Sequence, residues 1–327
     1  MLDIAALCLV ATAILAYLNH RLLGLPTVIG VMAIALAFSL VILGLDVSGV
    51  WKGLRASEEF FVRAVDFPET VMQGMLSFLL FAGALHVDIG ALRQYRWQVA
   101  ALAFVGTTAS MLLVGFGMWL ALPWIGIQLP LAWCLLFGAL ISPTDPIAVL
   151  GILRSAGAPK ELELVISGES LFNDGVGITL FLLMLGVVAS GNAPHAATVL
   201  ELLARQAGGG IAYGLALGYV TYRLLRSIDN YQVEVLLTLA AVMGGYALAE
   251  HLRVSGPLAM VVTGLVVGNR GRSLGMSETT RRYVDMFWEL IDEILNAVLF
   301  VLLGLDVLLV ELSPTLALAA ACAIAVT

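Results

Sequence analysis

Three carboxylates stand where a membrane-spanning chain normally carries none. Between Leu131 and Leu182 a long apolar stretch is interrupted first by Pro143-Thr144-Asp145-Pro146 and then by Glu169-Ser170 and Asn173-Asp174. An acid at the centre of a bilayer costs about 2.5–3.5 kcal/mol on insertion scales, and such acids usually mark ion or proton pathways. Burial and a neighbouring carboxylate both raise a carboxylate's pKa, so one of the three can approach neutrality. A proton and a small cation then compete for the same oxygens. Hard cations take several oxygen ligands, and Asp174, Ser170, Thr144 and carbonyls near Pro143 and Pro146 are the candidates. Competition at one site is the minimal design for exchange. Asp145 and Glu169 could instead pair with buried arginines or backbone groups and simply hold the bundle together.

The elements that must position these groups follow from the same residues. Each proline removes an N–H from the helical ladder, so the carbonyls of Ala139 and Ser142 lose their usual partners and the helix opens there. In hydrocarbon such an opening is tolerated only where it is buried in protein or lines a cavity. On the following helix, Glu169, Ser170, Asn173 and Asp174 form two adjacent polar rows at i, i+4 spacing.

The composition agrees: 61% of residues are hydrophobic and 12% charged, against roughly 25% charged in soluble domains. The reading is an all-α polytopic membrane protein with ten complete spans of roughly 20 residues and an eleventh begun after Pro314. Because that run is cut at Thr327, the chain is expected to be part of a longer protein. Residues 46–68, with Lys52, Arg55, Glu58, Glu59, Arg63 and Asp66 among Trp51, Phe60, Phe61 and Phe67, suit a segment lying in the interface. Gly210, Gly214 and Gly218 form a small-xxx-small ridge for close helix packing. No Lys-Ser/Thr follows it, so it is not a phosphate loop.

Cys8, Cys134 and Cys322 all lie in apolar runs and read as small buried hydrophobes. The net charge of −7 is scattered, which gives no reason to expect nucleic acid as a partner. With the N-terminus outside, inner loops hold Arg21, Arg93, Arg96, Arg154, Lys160, Arg223, Arg226, Arg270, Arg272, Arg281 and Arg282. Only Lys52, Arg55, Arg63, Arg205 and Arg253 fall outside. The positive-inside rule therefore predicts an N-out multi-pass protein of the cell membrane. Glu289, Asp292, Glu293 and Asn296 read equally as an acidic funnel or as a solvated helix face. His86 and His251, near span ends, read as interfacial histidines.

TDP on one span followed by GESLFNDG on the next resembles the cation/proton antiporter-1 family, of the bacterial NhaP and animal Na⁺/H⁺ exchanger types. LNAVLFVLLG near residue 300 is similar to a family stretch of like spacing. The resemblance implies an antiporter fold of broken, crossing helices, homodimers, and an inverted-repeat bundle that is C-terminally incomplete here. Its domains would be 1–90 (helices 1–3) and 231–312 (helices 8–10) for dimerisation, with 91–190 (helices 4–6) the first half of the transport core. Residues 191–230 (helix 7) would link them, and 313–327 would begin helix 11, the second half of the core lying beyond.

By the same resemblance Asp174 would bind cation or proton, Asn173 would position it, and Thr144 and Ser170 would ligate the monovalent cation. Glu169 would be structural, pairing with an arginine beyond Thr327. Asp145, between Pro143 and Pro146, would belong to the helix crossing. The expected function is exchange of a monovalent cation, Na⁺ first and K⁺ or Li⁺ as alternatives, for H⁺, with no cofactor. Since Asn173-Asp174 offers one carboxylate where electrogenic relatives place two acids in succession, exchange is expected to be 1:1 and electroneutral. A channel would need a filter signature that is not visible, and no H-E-x-x-H or nucleophile set points to an enzyme.

Overall fold

The computed structural model describes residues 2–47, 75–144, 156–190, 204–271, 276–307 and 313–327, with 146, 149 and 153 singly. Among the described residues all regular structure is helical. Residues 48–68 of the expected interfacial segment and Asp145 lie outside them.

Two compact units divide the chain, residues 1–79 with 286–311 and residues 80–285 with 312–327. In the first, α1 (Leu2–Leu18) runs into a π-helical turn at Asn19–Leu23, stopped by Gly24 at φ 64°. The Asn19 amide donates to the Leu25 carbonyl at 2.9 Å, closing the turn into α2 (Thr27–Val47). A glycine can hold the left-handed conformation at no steric cost. In the same unit the Ser39 hydroxyl donates to the Gly304 carbonyl at 2.9 Å, and Cys8 and Met75 share an apolar cluster with Val298 and Leu302.

The second unit carries the remaining helices: α3 (Leu76–Leu85, entering from the first unit), α4 (Ile89–Gln94), α5 (Arg96–Ala100) and α6 (Thr107–Ala121). They are followed by α7 (Leu131–Ile141), α8 (Lys160–Ser190), α9 (Gly209–Leu225), α10 (Tyr231–His251) and α11 (Gly256–Val266). α12 (Glu278–Asp306) passes from this unit into the first, and α13 (Pro314–Val326) closes the second. Helix starts have local causes. Asp88 accepts from the N–H groups of Gly90 and Ala91, Asn230 from those of Gln232 and Val233, and Ser255 and Ser313 each cap a helix with proline in its first turn.

Among the described residues, five helical stretches are long and apolar enough to cross a bilayer: 6–23, 27–45, 96–125, 160–189 and 231–251. α3, α7 and α13 are apolar but shorter. α7 is cut short at Ile141, directly before Pro143. α12 starts at Glu278. Ser277, whose hydroxyl accepts from the Thr280 N–H, starts it within the charged loop.

The glycine ridge proves to be the face that α9 turns to α11. A Cβ added at Gly214 would stand 2.6 Å from the Ala259 carbonyl oxygen, and one at Gly210 would stand 2.8 Å from that of Ser255. The gap is sealed by Thr263, whose hydroxyl reaches the Gly214 carbonyl at 3.2 Å and the Ala259 carbonyl at 2.8 Å. Tyr213 ties the same helix to α10 through the Gly245 carbonyl at 3.0 Å. Cys134 is buried in the apolar cluster where α6, α7 and α13 meet.

Candidate functional site

α7 stops at Ile141, and Ser142 turns its hydroxyl back onto the Gly138 carbonyl at 2.6 Å. Pro143, Thr144 and Pro146 are non-helical, as the two missing donors require. The Pro143 ring rests on Gly177 of α8, filling the space a side chain would take there. That seat lies one turn beyond Asn173 and fixes where the break meets α8.

At the break the Asn173 amide nitrogen donates to the Thr144 hydroxyl at 2.9 Å and to the Glu169 carboxylate at 2.7 Å. Thr144 also points its hydroxyl at both Glu169 oxygens, at 3.3 and 3.4 Å. A carboxylate only accepts hydrogen bonds, so the nitrogen end of the Asn173 amide must face Glu169. The oxygen end is left over: Asn173 is completely buried, and its Oδ1 has no hydrogen-bond partner among the described residues. A buried acceptor without a partner carries a desolvation cost of about 1–3 kcal/mol.

The structure thus brings Thr144, Glu169 and Asn173 into mutual contact. Ser170 is buried and Asp174 half-buried on the same helix, forming the second i, i+4 row. Glu169, for which an arginine partner was expected, is held by a hydroxyl and an amide among the residues described. Asp145 lies outside the described residues, and no group of three or more His, Cys, Asp or Glu side chains is placed to hold a metal ion among those described.

Sequence reasoning missed two features. Glu234, in the first turn of α10, is fully buried beside the Asn230 cap, with no side-chain partner for its carboxylate among the described residues. Its signal was an acid four residues after the Asn230 cap, inside a span. Asn269 was also overlooked. Its amide donates to the Val87 and Leu265 carbonyls at 2.8 and 2.9 Å and its oxygen accepts from the Ile89 N–H at 2.8 Å, pinning the α3–α4 turn to the end of α11. His86 and His251 each bond a carbonyl of their own helix, at 2.9 and 2.8 Å, and take no part in the site.

A broken helix facing an unbroken one, with a buried amide between a hydroxyl and an acid, is the arrangement that the family comparison addresses. The family described as "Sodium/hydrogen exchanger, transmembrane" matches residues 9–327. The chain belongs to this family. It is 51% identical over 313 residues to the Na⁺/H⁺ antiporter NhaP of Pseudomonas aeruginosa, covering 96% of this chain and 74% of that protein. It is 35% identical over 261 residues to the Na⁺/H⁺ antiporter NhaH of Halobacillus dabanensis, covering 79% of this chain and 63% of the relative. Among solved structures, that of the sodium proton antiporter MjNhaP1 from Methanocaldococcus jannaschii superposes with a TM-score of 0.70 over 91% of this chain and 68% of that one. At 22% identity that likeness is one of fold, and it matches the antiporter architecture expected from the sequence.

Proposed function

We propose that this exchanger-family chain moves Na⁺ against H⁺ by alternating access at the α7 break and α8. The observation that carries this reading is the orphaned Asn173 oxygen, wholly buried beside Glu169 and Thr144 and one residue from Asp174. Asn173 has given both of its useful donations to groups that lock its orientation. Its remaining oxygen is a ready-made ligand or acceptor in a place where an idle one is costly. Asp174 supplies the charge, binding either a proton or the cation, with Ser170 and Thr144 adding oxygens. Relatives at 51% and 35% identity carry the name Na⁺/H⁺ antiporter, which favours Na⁺ over K⁺ or Li⁺.

Because only one of the two neighbouring residues is an acid, one cation replaces one proton and the loaded carrier has the same charge in both directions. Exchange is 1:1 and electroneutral, in a homodimer placed in the cell membrane with its N-terminus outside. The test is proton flux in liposomes of the full-length protein, driven in turn by each alkali cation. Na⁺ is expected to drive it best; flux driven only by K⁺ would reassign the cation, and cation current without opposing proton movement would make the protein a channel. A charge moved per cycle is worth about 2.3 kcal/mol per 100 mV, so a reversal point that shifts with a clamped potential would mean that Glu169 or Asp145 titrates with Asp174. One-sided labelling of single cysteines at Ala193 and Met276 checks orientation: 193 is expected to react from outside and 276 from inside.

A further inference from the structure

A pocket of about 340 Å³ opens beside α5, within the roughly 300–1,000 Å³ of small-molecule sites. Its walls are apolar, supplied by Val99 and Phe104 on one side and by Phe172 of α8 and Leu265 of α11 on the other. Its lining also includes Arg93 and Arg96, three residues apart across the Tyr95 break between α4 and α5, and both are exposed. Among the described residues no carboxylate pairs with either guanidinium, and Arg96 instead lies over the Trp97 ring at 5.6 Å from its centroid. Trp97 is 74% exposed at the start of the 96–125 span, the position that interfacial tryptophans take at headgroup level.

A cation pathway would need oxygens, and this pocket offers almost none. An apolar slot whose lining includes two exposed arginines with no carboxylate partner among the described residues complements one kind of molecule, with an anionic head and a hydrocarbon tail. Basic pockets between membrane helices recognise lipid headgroups in this way. We propose that the pocket holds an acyl chain of an anionic bilayer phospholipid whose phosphate is bound by Arg93 and Arg96. The seat adjoins the transport helix directly: a Cβ added at Gly168 of α8 would lie 3.2 Å from Val99, and Phe172 immediately precedes Asn173. A lipid there bears on the helix that carries Glu169, Asn173 and Asp174, whatever ion that helix serves.

The experiment is native mass spectrometry of the full-length protein with dioleoyl phosphatidylglycerol or dioleoyl phosphatidylcholine added, which reads lipid retention independently of transport. The wild type is expected to retain phosphatidylglycerol over phosphatidylcholine by on the order of tenfold, the effect of two basic residues on an anionic head. Arg93→Gln with Arg96→Gln removes the preference, Arg93→Lys with Arg96→Lys largely keeps it, and Ala100→Trp, which fills the pocket, removes retention of both lipids. A preference that survives the glutamine pair overturns the proposal. So does a preference lost with that pair while Ala100→Trp retains lipid normally, because the headgroup then binds at the surface alone. Absence of any preference in the wild type overturns it too, another part of the full-length protein filling the slot. Should Ala100→Trp not fold, a tryptophan placed by Phe104→Trp gives the same decision. Phosphatidylglycerol with brominated chains must then quench it selectively, and no selective quenching overturns the proposal.

Discussion

The α9–α11 pair and the α7–α8 site solve opposite problems with the same material. Between α9 and α11 every approach is closed: glycines let the backbones touch, and Thr263 satisfies the carbonyls exposed by that closeness. Between α7 and α8 the contact is just as local, but it is polar and left unfinished. Glu169, Thr144 and Asn173 bond one another, and one buried oxygen remains idle. Within a membrane, tight small-residue packing stabilises without needing a ligand, whereas unfinished polar contacts cost stability unless something else completes them. On the function proposed above, the difference separates the part of the bundle that holds shape from the part that would handle ions.

Four substitutions in the full-length protein test that contrast. Asp174→Asn keeps volume and removes the carboxylate. Na⁺-driven proton flux is expected to fall to the leak of protein-free liposomes while the protein still elutes and melts as folded. Flux that persists would remove Asp174 from the site. Asn173→Ala deletes both donations at once, and with hydrogen bonds to charged groups worth about 1.5–3 kcal/mol, flux per folded molecule should drop by roughly ten- to hundredfold. Gly214→Val should do the reverse. Forcing a side chain against the Ala259 carbonyl costs about 1–3 kcal/mol of stability, read as a lower melting temperature, with transport per folded molecule close to normal. If Gly214→Val instead abolished transport without destabilising the protein, the division between shape and ion handling would be wrong. The smallest effect belongs to Thr144→Val, where one lost hydroxyl contact of about 1 kcal/mol should weaken apparent Na⁺ affinity several-fold without ending exchange.

Much of this was legible in the chain itself, and the part that was not has a common physical cause. Two prolines around Thr144 dictate a break because the missing donors are local facts, and the i, i+4 rows on α8 follow from helical periodicity alone. The glycine ridge announced a close partner but not which helix it would be, since α11 is brought there by tertiary packing. The same limit hid Glu169's actual neighbours: sequence places Glu169 and Asn173 on one row, but only the Pro143–Gly177 seat decides that Thr144 joins them. An apolar run measures hydrophobicity and not where a helix stops, so α7 ends where its prolines stop it. The arginine-lined pocket left no sequence signal, because Arg96 and Phe172 are 76 positions apart.

The seat of Pro143 on Gly177 also limits how the machine can move. α8 rises 1.5 Å per residue, and the same face one turn further on presents Phe181 in place of a glycine. The proline ring has one notch along that helix and bulk beyond it, so the break cannot slide lengthwise against α8. With that degree of freedom removed, Thr144 keeps its distance to Glu169 and Asn173 only if break and helix travel as a single body. If the proposed site is carried across the bilayer as an assembled body, a disulfide stapling residue 143 to residue 177 should leave transport intact.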